Sequence, residues 1–381
     1  MRIFLSAGEP SGDIHAANLL HSLRAIDPGV TAAGFGGDRM RRAGYDLLYP
    51  LADHAIMGLS GIVRALPTMI RLRRVMVDWI TANRPDAVVL IDYPGFHWWL
   101  AAAAKRAGVP VVSFVPPQVW AWATHRVAKV RKYFDHVLCS LPFEEAWYHE
   151  RDVSQARYVG HPFFDELAKQ RLDGEFVRDQ RGRPGPVVAL LPGSRHGELN
   201  RNLDTLVHAA KLVHATRPDA RFLFACYKPG HKDWVERRLT GEGLPAVAHV
   251  GRTPEIMHLA DACAAVSGSV GLELLHHGTP TVVVYRVNPL YRRISRTVLH
   301  IPHISIVNLL AGGELFPEYL TSHDPAADVA RRLLHWLTDP AAAAGMQAEL
   351  AALRERVGRP GACRTAAEVI AGLARSKREA A

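Results

Sequence analysis

The chain has 381 residues, of which 48% are hydrophobic and 22% charged, and it carries a formal net charge of +9. That length exceeds one ordinary core and predicts two domains; the composition excludes disorder; and no apolar run reaches the roughly 18 residues of a membrane span. The positive charge suits a polyanionic partner, whether nucleic acid, anionic lipid or a phosphorylated substrate, but no nucleic-acid motif accompanies it.

The first half alternates short apolar runs with helical patterns. Strands are predicted over 2–6, 31–35, 87–91, 109–115 and 136–140, with helices over 14–25, 62–82, 97–107 and 144–149 between them. Such alternation implies a parallel sheet covered on both faces. The stretch GEFVRDQRGRPGP (174–186) is polar and rich in Gly and Pro, and reads as a linker. The pattern then restarts, with strands over 187–191, 221–227, 264–266 and 281–285 and a helix over 203–215. Helices over 327–337 and 343–356 follow. The expected organisation is a Rossmann-like domain over 1–172, a linker over 173–186, a second Rossmann-like domain over 187–350 and a helical segment over 351–381. Doubly wound halves of this kind face each other across a cleft and bind ligands beyond the carboxyl ends of their strands.

The turns after the strands are therefore the informative places. SAGEPSGD (6–13) spends two glycines, a proline and two carboxylates where one Gly and one cap would suffice. In AVVLIDYPGFH (87–97), Asp92 ends a buried strand, either as a general base or as an ordinary turn residue. VPPQVWAW (115–122) sets Trp120 and Trp122 beside a Pro-Pro turn, for stacking or for core packing. In LLPGSRHGE (190–198), Gly193, Ser194 and Arg195 open a helix whose free amides and guanidinium suit a diphosphate, unless Arg195 merely faces solvent. In AVSGSVGLE (265–273), Ser267, Gly268 and Ser269 open another helix, and Glu273 is placed to accept from ribose hydroxyls or to complement the helix dipole. Along 56–80, Ile62, Leu66, Met69, Ile70 and Met76 make an apolar face flanked by Arg64, Arg71 and Arg74, as in a helix lying on an anionic bilayer or in a core helix with a basic outer side.

The N-terminal apolar run is short and leads into Glu9 and Asp13, unlike a signal peptide, so a cytoplasmic protein is expected. Cys139, Cys226, Cys263 and Cys363 form no CxxC pair and are expected to be reduced and buried. The 20 histidines show no HExxH spacing, and neither a metal site nor a cofactor is predicted.

Taken in order, SAGEPSGDIHAANLL, IMGLSGIVRALP, IDYPGFH, PQVWAW, LPFEEAWY, YVGHP, LPGSR, SGSVGLE and NLLAGGELFPEYL (308–320) resemble the lipid-A-disaccharide synthase family nearly end to end. The resemblance implies an inverting glycosyltransferase of the GT-B architecture. It implies transfer from UDP-2,3-diacylglucosamine to 2,3-diacylglucosamine 1-phosphate, giving a β-1,6-linked disaccharide and UDP. Asp92 matches the family's candidate base, and Arg195, Glu273 and Asn308 match its UDP-side motifs. Gly8, Glu9, Ser11, Gly12, Asp13, Gln118 and Trp120 become the expected acceptor side or cleft floor. Ile62, Leu66, Met69 and Ile70 become a membrane lip on the inner membrane's cytoplasmic face, and a homodimer is among the expected partners. The chain departs from the family pattern at Gly95 (usually Asp), His97 (usually Asn), and Ala123 and Gly313 (both usually Arg). Two rivals fit the same turns: another UDP-sugar enzyme of this fold, such as an epimerase, and a non-catalytic nucleotide- or lipid-binding relative.

Overall fold

The computed structural model describes residues 1–54, 59–289, 291–293 and 301–379, excepting the side chains of 53–54, 59–65 and 376–379. Two all-parallel sheets organise them. In the first, β1 (Arg2–Ala7), β2 (Thr31–Phe35), β3 (Asp46–Tyr49), β4 (Ala87–Ile91), β5 (Val111–Phe114), β6 (His136–Cys139) and β7 (Ala156–Tyr158) lie in the order 3-2-1-4-5-6-7. In the second, β8 (Val187–Leu191), β9 (Arg221–Cys226), β10 (Ala246–Val250), β11 (Ala262–Val266), β12 (Thr281–Arg286) and β13 (Glu318–Thr321) lie in the order 10-9-8-11-12-13. The strands absent from the sequence reading, β3, β7, β10 and β13, are the four sheet edges. Edge strands are covered on fewer sides, so they need no continuous apolar run and leave little trace in hydropathy.

Helices cover both faces of the first sheet. Ile3 and Leu5 of β1 pack with Leu19, Leu20 and Leu23 of the helix Pro10–Ile26 on one face. Phe4, Val88 and Leu90 pack with Leu72, Met76 and Ile80 of the helix Leu59–Asn83 on the other. Each fully buried side chain of this kind contributes about 2 kcal/mol against exposure. In the second sheet, Val188 and Leu190 meet Leu203 and Leu206 of the helix His196–Thr216 and Leu333 of the helix Ala326–Thr338.

The chain divides into two compact units, one of Met1–Lys169 with the C-terminal stretch from Arg359, the other Gln170–Gly358. Two expected features change. The stretch expected as linker forms the helix Gly174–Arg181, because the Asp173 carboxylate accepts from Glu175 N (3.0 Å) and Phe176 N (3.2 Å). Phe176 then stacks edge-on against His249 at 5.1 Å, which joins this helix to the second unit. The C-terminal segment is also not a single piece. The helix Pro340–Val357 stays with the second unit, whereas Ala362–Glu379 lies in the first, where Cys363, Ala366, Ala367 and Ile370 join the β1 core. Asp165 caps that helix by accepting from Gly361 N and from Cys363 N (2.7 Å).

Candidate active site

Both sheets reverse strand order at their centre, between β1 and β4 and between β8 and β11. Ala7 pairs with Ile91, and Leu191 pairs with Ala265. The turns GEPSGD and IDYPGFH thus leave adjacent strands in the first unit, as LPGSR and SGSVGLE do in the second. Such reversal points are where open α/β sheets bind ligands, because the following helices diverge there.

In the first unit most of GEPSGD is consumed internally. A Cβ on Gly8 would lie 2.3 Å from Tyr93 Cγ, so glycine is required where the Tyr93 ring covers the chain. A Cβ on Gly12 would lie 3.3 Å from Ala7 Cβ, so this glycine seats the helix Pro10–Ile26 against the sheet rather than opening space for a ligand. Asp13 is buried, and its carboxylate accepts from Gly37 N (2.8 Å), Arg39 N (2.9 Å) and Met40 N (3.0 Å). It caps the neighbouring helix Asp38–Ala43 and so shapes the turn from within. Glu9 and Ser11 keep partial exposure.

Asp92 differs from these residues. Its backbone sits at φ +27°, in the left-handed region that costs an L-residue roughly 1–2 kcal/mol. The side chain is half-buried, and no hydrogen-bond donor among the described residues reaches its carboxylate. Burial, and secondarily the charge of Glu9, push its pKa up to about 6. Next to it, buried His97 places Nε2 2.9 Å from Ser6 Oγ, and its ring lies 5.7 Å from that of Tyr93. Burial lowers the His97 pKa to about 3, so the ring is neutral. A small hollow opens here, lined by Asp92, His97 and Trp98 among others.

The tryptophans split. Trp120 is 6% exposed, donates Nε1 to Glu144 (2.9 Å) and meets Phe143 edge-on at 4.9 Å, so it belongs to the core and not to a stacking platform. Trp122 is 40% exposed, with the Arg126 guanidinium 4.7 Å above its ring. Gln118 is exposed. On the helix Leu59–Asn83, Leu66 and Ile70 are exposed while Met69 and Met76 are buried; helical spacing puts 66 and 70 on one side and 69, 72 and 76 on the other. Met69 therefore leaves the expected lip, and the Ile62 side chain lies outside the described residues.

In the second unit, Gly193 has φ +106°, and a Cβ there would lie 2.8 Å from both Cβ and Oε2 of Glu198. The glycine makes room for Glu198, not for a ligand. Glu198 accepts from Arg195 N (3.2 Å) and Nη1 (3.1 Å), so its carboxylate folds back over the start of the helix His196–Thr216. Ser194 and Arg195 themselves are exposed. At the other turn, Ser267 Oγ donates to Ile304 O (2.9 Å), and a Cβ on Gly268 would meet nothing within 4 Å. Ser269 is exposed, next to Ser267 and Gly268, which line a small hollow. Half-buried Glu273 has no hydrogen bond among the described residues, and burial pushes its pKa up to about 7. Asn308 is wholly buried, and both ends of its amide are used. Nδ2 donates to Phe316 O (2.7 Å), and Oδ1 accepts from Leu315 N (2.9 Å) and Phe316 N (2.7 Å). Its expected contact with the nucleotide-sugar is corrected to a loop clasp.

A family profile described as lipid-A-disaccharide synthetase matches residues 3–371. The chain belongs to the lipid-A-disaccharide synthase family. A lipid-A-disaccharide synthase of Anaeromyxobacter sp. (strain K) is 37% identical over 380 residues, covering 98% of both chains. That of Myxococcus xanthus (strain DK1622) is 35% identical, covering 98% of this chain and 97% of the relative. Membership makes the chain a disaccharide-forming glycosyltransferase of lipid A biosynthesis. Among solved structures, the UDP-GlcNAc 2-epimerase from Neisseria meningitidis bound to UDP-GlcNAc aligns with TM-score 0.65, 12% identity and coverage of 98% and 100%. MurG from Acinetobacter baumannii aligns with TM-score 0.60, 11% identity and coverage of 97% and 99%. At such identity these two establish the fold, GT-B, and not the reaction.

Proposed function

We propose that Asp92 removes the proton from the acceptor hydroxyl while Arg195, Glu273 and the helix-opening turns of the second unit hold the UDP moiety. The hydroxyl oxygen of 2,3-diacylglucosamine 1-phosphate attacks the anomeric carbon of UDP-2,3-diacylglucosamine, the bond to the diphosphate breaks with its electron pair, and the configuration inverts to β-1,6. The proton passes to the Asp92 carboxylate and the leaving group is UDP. The observation that carries this reading is the Asp92 carboxylate, which has no hydrogen-bond donor among the described residues, a pKa raised to about 6 and a strained backbone position where the sheet reverses order. A base of that pKa is ionised at neutral pH yet stronger than an ordinary carboxylate. Charge developing on the diphosphate is offset by the Arg195 guanidinium and the amides that open its helix.

Acylated substrates bring the protein to a membrane surface. Among the described residues no helix is long and apolar enough to cross a membrane. The outer side of Leu59–Asn83 instead offers Leu66 and Ile70 beside Arg71 and Arg74, an apolar and basic surface suited to anionic lipid. The test is mass spectrometry of products from purified protein given both acylated sugars. A disaccharide phosphate with one equivalent of UDP is expected. A C2 epimer of UDP-GlcNAc, formed without an acceptor, would replace the reading with the epimerase one.

A further inference from the structure

One carboxylate in the second unit is left unused by the proposed chemistry. Glu318 opens β13, and its side chain is 13% exposed. Four donors converge on it. Oε1 accepts from Ile304 N (3.0 Å) and His303 Nδ1 (3.3 Å), while Oε2 accepts from Ser305 N (2.9 Å) and Asn308 Nδ2 (3.1 Å). All four lie within 303–308, so the carboxylate is spent on placing that one stretch. The stretch in turn braces the turn SGSVGLE. The peptide between Ile304 and Ser305 is held at both ends: its N–H donates to Glu318, and its carbonyl accepts from Ser267 Oγ (2.9 Å). Beside it, a Cβ on Gly271, in the first turn of the helix Val270–His277, would lie 3.4 Å from Val307 Cγ2 and 3.6 Å from Ile306 Cγ2. The outer part of the turn is open: a Cβ on Gly268 meets nothing within 4 Å, and Ser269 is exposed.

We infer that Glu318 is a positioning residue for the nucleotide: through the Ile304–Ser305 peptide it fixes Ser267, and with it the helix start that holds UDP in the function proposed above, on which this inference rests. Glu318 touches no substrate in this role. A peptide whose N–H meets an anionic acceptor presents a more negative carbonyl oxygen, so the charge on Glu318 tightens the grip on Ser267. Ser267 has its one proton committed to Ile304 O, which sets the hydroxyl in a single orientation. Loss of that order is felt as affinity, because a looser turn must be ordered each time the nucleotide binds.

Glu318→Gln keeps the shape and one acceptor oxygen but removes the charge and turns an NH2 group toward amide donors. Calorimetry with UDP is expected to give a Kd about tenfold above the parent's, and turnover a higher donor KM with kcat and the acceptor KM nearly unchanged. Because the effect passes through Ser267, the same substitution made on top of Ser267→Ala should shift Kd by about twofold or less. A structural role alone would lower the melting temperature and leave the Kd of the folded protein at the parent's value. That result, or the full tenfold shift in both backgrounds, would overturn the inference. Should Glu318→Gln fold poorly, Glu318→Asp keeps the charge on a shorter stem that cannot reach all four donors. It should raise Kd a few-fold, and an unchanged Kd would equally refute the positioning role. A parent that binds UDP while the variants bind it alike removes that role alone. A parent with no affinity for UDP removes the proposed nucleotide site together with it.

Discussion

The two units share a topology and use it in opposite ways. Each brings two strand-to-helix turns together where its sheet reverses order. In the first unit those turns are filled by their own side chains. Tyr93 covers Gly8, Asp13 is bonded to three amides of 37–40, and His97 meets Ser6. One carboxylate, Asp92, is left over. In the second unit the turns stay open, with Arg195 and Ser269 exposed, empty space at Gly268 and Glu273 unengaged. A packed turn fixes one group in one place, as a base requires. An open turn offers several donors and acceptors over an area, as a nucleotide requires.

The largest effect that would break this contrast belongs to Asp92→Asn. Asn tolerates the left-handed backbone but accepts no proton, so transfer should fall by about 10²–10⁴ or more. UDP binding, assigned to the other unit, should be unchanged by calorimetry. The parent rate should fall as the pH drops through about 6, where the carboxyl of the free enzyme becomes protonated. The same raised pKa carries a sign for stability. The folded state holds the proton more tightly than the unfolded chain, so the native state is penalised as pH rises from the ordinary carboxylate value through about 6, and fully above it. Asp92→Asn should therefore be more stable than the parent at pH 7, by about 1 kcal/mol after allowing for partial solvent screening, and no more stable near pH 3. A variant of parent activity would end the assignment of the base.

A pair of glycine variants sharpens the contrast. Gly8→Ala places a methyl carbon against Tyr93, so the ring must move, at a cost of about 1–3 kcal/mol in thermal stability. Because Tyr93 adjoins Asp92, kcat should fall with it, by roughly tenfold if the shift is near an ångström. Gly268→Ala meets nothing and should leave the melting temperature alone, while weakening UDP if the nucleotide occupies that space. Equal melting losses in both variants would erase the distinction between a packed and an open turn.

How far the site was readable follows the same division. The place of Asp92 at the mouth of a buried strand was legible because a five-residue apolar run ends in a charge. The centres of both sheets were legible for the same reason, while the edge strands were not. Polar residues within motif-like stretches misled. Asn308 looks like a ligand contact, but it is a buried clasp on Leu315 and Phe316 a few residues along the same motif. Trp120 and Trp122 are two apart on one helical turn, so one faces in and the other out; composition alone could not say which.

In the second unit, Glu273→Gln tests the open cradle. Ribose hydroxyls donating to an ionised carboxylate are worth about 1.5–3 kcal/mol, so the amide should weaken UDP about tenfold or more. Glu273 has a pKa near 7 when free, and hydroxyl donors favour its charged form, so UDP binding should release a proton around neutral pH. Calorimetry in two buffers of different ionisation enthalpy reads that proton directly, and the Gln variant should abolish it. Binding without proton release in the parent would move the ribose away from Glu273.

The smallest effect on the site concerns the surface of the first unit, where exposure rather than burial is at issue. Leu66 and Ile70 are 41% and 39% exposed, so removing them deletes little packing, in contrast to Met69 at 8%. Leu66→Ser with Ile70→Ser should leave the unfolding free energy within about 1 kcal/mol of the parent and lower the partition constant onto anionic liposomes by about 30-fold or more, since each side chain buried at an interface contributes about 1–2 kcal/mol. Met69→Ser should do the reverse, melting the protein earlier by creating a cavity while lipid binding per folded molecule holds. If all three substitutions lower stability alike and leave liposome binding untouched, the exposed pair is ordinary protein surface, and the acylated substrates must reach Asp92 by a route that does not involve this helix.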